Sequence, residues 1–158
     1  MAFHIVLVEP EIPANTGNIS RTCAGTDTHL HLVRPLGFSI EDKDLKRAGL
    51  DYWPHVKLHV HDSFEEVLAE YGSGRMFFAT TKGKRSYADV AYRDGDIFVF
   101  GKESAGLPDT ILNRFPDQRI RIPMNGNVRS LNLSNCAAIV LYEALRQTGF
   151  PGMALSAP

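Results

Sequence analysis

The sequence predicts an α/β domain, with a mainly parallel sheet flanked by helices. Two observations carry this. Short apolar runs rich in Val, Ile and Phe alternate with helix-like segments along the whole chain. The 158 residues, 44% of them apolar, are enough for a real core, and no repeat, low-complexity tract or long linker divides them. A single domain over 1–158 is expected.

"HIVLVE" (4–9) is short, apolar and Val/Ile-rich, the signature of a buried strand. "NTGNISRTCAGT" follows as a helix, with Ile19, Cys23 and Thr22 on one face and Asn15 or Thr16 as its cap. "HLHLV" (29–33) alternates as a strand, and "RPLGF" turns. "EDKDLKRAGL" resembles a short charged helix, and "VKLHV" (56–60) another strand. "SFEEVLAEYG" reads as a helix with a Ser63–Glu66 capping box and a Gly72 stop. "RMFFAT" and "DIFVF" are compact strands, "LPDTILNRF" a short helix with Ser104 or Asp109 as cap, "QRIRIP" a strand, and 131–148 the closing helix.

Composition narrows the function. Seventeen Lys+Arg stand against 18 Asp+Glu, a net charge of −1, so any nucleic-acid surface must be a local patch. Cys23 and Cys136 lie far apart without metal-ligand spacing and read as buried thiols in a reducing compartment. No signal peptide or spanning segment is recognisable, and a cytoplasmic location is expected.

In parallel sheets, ligands bind beyond the carboxyl ends of the strands. The unusual sequence sits at those ends: "TTKGKRS" after 75–79, "FGKESAGLP" after 96–100 and "PMNGNVRSLN" after 118–122. No GxxxxGK[ST], no dinucleotide glycine fingerprint and no GxSxG is present. His4, His29, His31, His55, His59 and His61 form no known ligand pattern, so no metal is expected and they read as solvated or packing residues. Glu103 lies in a Gly-rich strand-end loop, where Gly101 and Gly106 allow close backbone approach. Arg21 reads either as a solvated side chain or as a phosphate partner. "GNVRSLNLSNCAAIVLYEAL" loads Asn127, Ser130, Asn132, Ser134 and Asn135 onto one helix start, although one cap suffices.

"NTGNISR", "FGKESAGLP" and "IRIPMNGNVRSLNLSNCAAIVLYEALRQ" resemble the three motifs of the SPOUT superfamily of RNA methyltransferases. "EDKDLKRAGLDYW" and "TTKG" extend the likeness to the small tRNA wobble-nucleotide 2′-O-methyltransferases, so it covers nearly the whole chain. The resemblance implies a C-terminal deep trefoil knot over about 75–150, which general topology rules would not suggest. It implies S-adenosyl-L-methionine held by Ala79, Thr80, Thr81, Gly101, Glu103, Gly106, Ile122, Met124, Ser130 and Leu131, with no metal. Arg21, Asn15, Ser130, Asn132 and Glu103 would serve catalysis. Arg21, Lys82, Lys84, Arg85, Arg129 and Tyr142 would meet RNA, the anticodon arm of a tRNA, with Arg121 on the same basic rim. The family pattern is a homodimer with composite sites, and the many-sided apolar surface of the closing helix fits it. Ribosomal-RNA ribose methylation and a catalytically silent RNA-binding module are the competing readings.

Overall fold

The structure is a computed structural model that describes residues 2–41, 43 and 53–156. The helix expected over "EDKDLKRAGL" falls almost wholly outside the described residues. Six strands form one sheet: β1 (His4–Val8), β2 (His29–Val33), β3 (Lys57–His61), β4 (Met76–Ala79), β5 (Ile97–Phe100) and β6 (Arg119–Ile120). Their order is β3-β2-β1-β5-β4-β6, and every pairing is parallel. The α-helices bounded among the described residues are α1 (Pro13–Gly25), α2 (Phe64–Tyr71), α3 (Asp109–Leu112) and α4 (Leu133–Gln147).

Alternation along the strands divides the core between two faces. Ile5, Leu7, Leu30, Leu32, Phe98 and Phe100 pack under α1 and α4, meeting Ile19, Cys23, Ala137, Val140, Leu141 and Leu145. Val6, Val8, Val33, Phe78, Ile97 and Val99 pack under α2 and α3, meeting Phe64, Val67, Ile111 and Leu112. Each fully buried Leu, Ile or Phe contributes roughly 1.5–3 kcal/mol, and both faces are needed to hold a sheet apolar on each side.

Several boundaries differ from the sequence reading. Helix α1 begins at Pro13, two residues before Asn15, and its cap residue Ile12 offers no side-chain hydrogen bond. Proline is already set for the first helical position, so neither Asn15 nor Thr16 caps. The buried face of α1 holds Asn15, Thr16, Gly17, Ile19, Ser20 and Cys23 instead of Thr22, which is half-buried. Ser63 does cap α2, accepting from the Glu66 amide, but Glu66 reaches back to the amide of Asp62 rather than of Ser63. Pro108 occupies the cap position of α3, and Asp109 turns its carboxylate to Lys82 instead. Gly72 ends α2 in right-handed backbone, without the left-handed cap that glycine allows.

Five of the six histidines pack, but on one another, while His55 is exposed. Parallel register sets His4 beside His29 and His31 beside His59. Nδ1 of His4 lies 2.9 Å from Nε2 of His31, and Nδ1 of His31 lies 3.0 Å from Nε2 of buried His61. His29 and His59 make a third such pair at 3.0 Å. The rings stack at 4.5–5.2 Å, with Tyr71 of α2 edge-on to His31 and His61. Burial, then the neighbouring imidazoles, push His4 down to about 4 and His31 to about 2, and hold His29 and His59 below the ordinary histidine value. Among the described residues, no group of three or more His, Cys, Asp or Glu is placed to hold a metal ion.

Candidate active site

The loops after β4, β5 and β6 close on one cavity of about 500 Å³ at the carboxyl ends of the strands. All ten residues expected to hold the cofactor line it: Ala79, Thr80, Thr81, Gly101, Glu103, Gly106, Ile122, Met124, Ser130 and Leu131. So do Asn15, Asn132, Lys82, Arg121 and Arg129. Arg21 does not; it is exposed on α1, six residues beyond Asn15, about 9 Å along the axis and about 120° around it. Lys84 and Arg85 line a neighbouring cleft. Tyr142 is 45% exposed on α4, its ring 6.4 Å from that of Phe150, and it lines neither space.

The loop after β5 is folded back on itself. The amide of Gly106 donates to the carbonyl of Lys102 at 2.8 Å, which brings Gly106 against Gly101. A Cβ on Gly101 would lie 2.0 Å from the carbonyl carbon of Gly106, and Gly106 itself has φ +69°. Glycine is therefore required at both positions. The turn throws Glu103 toward the start of α1. Its carboxylate accepts from the amides of Glu11 (2.9 Å) and Ile12 (2.7 Å) and from Nδ2 of Asn15 (3.2 Å). The cap missing from α1's own sequence thus comes from a loop 91 residues away. A carboxylate there satisfies orphan donors and complements the positive helix end. Ser104 returns the contact, its amide donating to Glu11 at 2.8 Å, and its hydrogen bonds hold the Glu11 carboxyl below its usual range.

Asn15 carries the network to the third loop. Nδ2 of Asn132 donates to Oδ1 of Asn15 at 3.1 Å. Oδ1 of Asn132 accepts from the amides of Ser134 (2.9 Å) and Asn135 (3.3 Å) and from the Ser134 hydroxyl (2.5 Å), capping α4. The five polar residues at this helix start therefore divide their work. Asn132 caps, Ser134 supports Asn132, and Ser130 is left exposed on the cavity wall. Asn127 takes part through its amide in a local turn with Asn125.

Sequence reasoning missed Phe100, Leu107 and Leu133, which supply apolar wall, and Cys136. Cys136 was expected to be buried; it is half-buried one turn into α4, with Sγ 3.6 Å from the carbonyl of Leu131. Burial raises its pKa, so it presents a neutral thiol. Its spacing of four from Asn132 was the available signal.

The cavity joins one flat apolar part to a basic lining of Lys82, Lys102, Arg121 and Arg129. Ala79, Phe100, Leu107, Ile122, Leu131 and Leu133 offer apolar wall, backbone of three loops offers polar edges, and the one lining carboxylate, Glu103, is saturated by the donors of α1. The volume lies within the roughly 300–1,000 Å³ usual for ligand clefts.

Known proteins resemble the chain over nearly its whole length. A relative from Methylovorus glucosotrophus named tRNA (cytidine(34)-2'-O)-methyltransferase is 56% identical over 151 residues, covering 95% of this chain and 98% of its own length. One of the same name from Burkholderia cenocepacia is 50% identical over 153 residues, with 95% and 98% covered. A solved structure described as giving structural insights into the 2-OH methylation of C/U34 on tRNA superposes with a TM-score of 0.90 at 48% identity, covering 94% of this chain and 97% of that one. With residues 2–142 matching the family as well, the chain belongs to the SpoU rRNA Methylase family.

Proposed function

We propose that the protein is an S-adenosylmethionine-dependent methyltransferase acting on the ribose 2′-hydroxyl of the nucleotide at position 34 of tRNA. The observation that carries this reading is the convergence of three separate loops on one cavity, tied together by Glu103, Asn15 and Asn132. Relatives more than half identical, which bear the name of that reaction, support the substrate. The reading includes a single domain with a knotted path over about 75–150, supported by membership of the family.

Bound S-adenosylmethionine supplies a sulfonium methyl group as the electrophile. The chain's part is to hold, orient and exclude. Apolar side chains Ile122, Leu131 and Leu107 form a slot for a flat base, while backbone at 79–81, 101 and 122–131 reads its polar edges. Ser130 and Asn132 stand where the loop meets α4, beside the cavity mouth, and orient the incoming ribose. Glu103 acts through Asn15, fixing the amide that faces Asn132.

Arg21 is the phosphate partner. A guanidinium stays protonated, so it binds the substrate phosphate and polarises the hydroxyl rather than removing its proton. Its place on α1, turned away from Asn15 and outside the cavity of its own chain, favours a homodimer in which each site receives Arg21 from the partner subunit. Ile139, Tyr142 and Phe150 leave apolar surface on the outer side of α4 for such a contact. Lys82, Lys84, Arg85, Arg121 and Arg129 form the basic rim for the anticodon arm.

Methyl transfer from labelled S-adenosylmethionine to tRNA, followed by nucleoside mapping, tests the reading. Label at ribose 34 is expected; label in ribosomal RNA with ribose 34 unmodified overturns it. Arg21→Ala should lower transfer by about 100-fold or more while leaving cofactor affinity within about two-fold. Mixing it with Asn132→Ala should restore activity in hybrid dimers, and inactive confirmed hybrids would rule out shared sites.

A further inference from the structure

We propose that the cleft between the loop after β4 and the turn before β6 is a seat for a backbone phosphate of the RNA strand next to the target nucleotide. The inference rests on the RNA substrate proposed above. The cleft has a volume of about 380 Å³ and is lined by Lys82, Lys84, Arg85, Pro116, Asp117 and Arg119. Four cations thus face one carboxylate. Lys82 also lines the cofactor cavity, so the two spaces adjoin. A polymer with one nucleotide at the cavity mouth would pass its next phosphates through this cleft.

The cations sit on fixed backbone. The amide of Arg121 donates to the carbonyl of Arg85 at 2.8 Å, and the amide of Tyr87 donates to the carbonyl of Arg121 at 3.0 Å, extending the β6 edge past Ile120. Arg119 is anchored at one end, where Nη2 donates to the carbonyl of Leu112 at 2.9 Å. Its guanidinium has donors to spare, which suits an anion without reorganisation. Lys82 is held by exposed Asp109 at 2.7 Å, a solvent-screened pair that an incoming phosphate can exchange. The lining offers no aromatic platform for a base, only Pro116, so it suits a phosphodiester better than a free nucleotide.

Charge along the chain points the same way. Residues 1–74 carry six Lys+Arg and eleven Asp+Glu, whereas residues 75–129 carry ten and six. The sheet order sets β4 and β6 at one edge, so the cleft lies within the segment that carries the positive surplus. Phosphate neutralisation at such a patch releases counterions and makes binding salt-dependent.

The test is binding of a tRNA anticodon arm to the full chain at several salt concentrations. Lys84→Ala combined with Arg85→Ala should weaken binding about ten-fold and lower the slope of log affinity against log salt by about 1 to 2. Asp117→Asn, which removes the one carboxylate of the lining, should tighten binding by about two- to five-fold. Lys57→Ala, paired with Asp27 on the far edge, should change neither. S-adenosylmethionine affinity should be unaltered throughout, and should the double variant not fold, Asp117→Asn still decides. Unchanged RNA binding in the double variant and in Asp117→Asn overturns the seat while leaving the proposed methyltransferase intact. An equal loss with Lys57→Ala also overturns it, since net charge alone would then explain the effect. Failure of the unaltered protein to bind or methylate tRNA removes both the seat and the function it rests on.

Discussion

The imidazoles that run diagonally across β1, β2 and β3, from His4 to His61, and the loops at the carboxyl ends of β5, β4 and β6 are both crowded with polar side chains, but the two regions use them differently. At the first, the imidazoles of His4, His29, His31, His59 and His61 hydrogen-bond to one another at 2.9–3.0 Å and stack, with Tyr71 covering them. At the second, Glu103, Asn15 and Asn132 bond across three segments, and what they brace is the wall of a cavity. The histidine ladder is closed on itself, so its polar groups stabilise the sheet. The other network holds loops open. Polar density therefore does not mark a site; polar groups that position glycine-rich strand ends do.

The largest break in this contrast should come from Gly101→Ala. A methyl group 2.0 Å from the Gly106 carbonyl carbon must push the β5 loop apart. Cofactor affinity, measured by calorimetry, should fall about 100-fold, or about 2.7 kcal/mol, while the ladder side keeps its amide protection in hydrogen exchange. A loop that tolerated the change would mean that the turn does not shape the cavity.

Glu103→Gln should do less. It keeps the shape but turns one oxygen into a donor facing the donors of Glu11, Ile12 and Asn15. About 1–3 kcal/mol of unfolding free energy should be lost, seen in urea titration, with cofactor affinity falling about ten-fold. Stability equal to the parent would show that the carboxylate is dispensable as a cap.

The mildest effect should come from acid and should act on the ladder. The imidazoles of His4, His29, His31 and His59 titrate near 6.5 in the unfolded chain and lower in the folded one, to about 4 at His4 and about 2 at His31. The folded state thus binds fewer protons, so this contribution is whole above about pH 6.5 and is lost as pH falls through the folded values. Asp94 beside His4, Glu70 beside His59 and Asp27 beside His29 moderate the effect without reversing it, while Lys57 adds to it at His29. The melting temperature should be level between about pH 7 and 8 and drop by several degrees by pH 5, with the same slope in Glu103→Gln. A flat profile down to pH 5 would mean that the ladder accepts protons freely.

The contrast also explains what could be read in advance. Strands were legible because "HIVLV", "HLHLV" and "DIFVF" are buried on both faces, and the loop positions followed from strand ends. A cap at the start of α4 was legible because its partners are two and three residues away, but which of the five polar residues supplies it was not, and Asn132 was read as serving catalysis. Glu103 as the cap of α1 was not, since the bond spans 91 residues and no local pattern encodes it. The ladder was half legible. Spacings of two at His29/His31 and His59/His61 put each pair on one face of a strand, but only the register of β2 on β3 brings His31 to His59.

The long reach of the Glu103 and Asn132 contacts has a consequence for the order in which the protein is made. Helix α1 leaves the ribosome well before its cap, because the carboxylate that caps it is synthesised about 90 residues later. At 5–20 residues per second that is a delay of roughly 5–18 s. The partner of Asn15 on the third loop comes 117 residues after it. A nascent chain can pair β1 with β2 long before this, but a chain released before residue 132 has no closed site to offer any ligand. Completion of the cavity thus acts as a report that translation has passed residue 132.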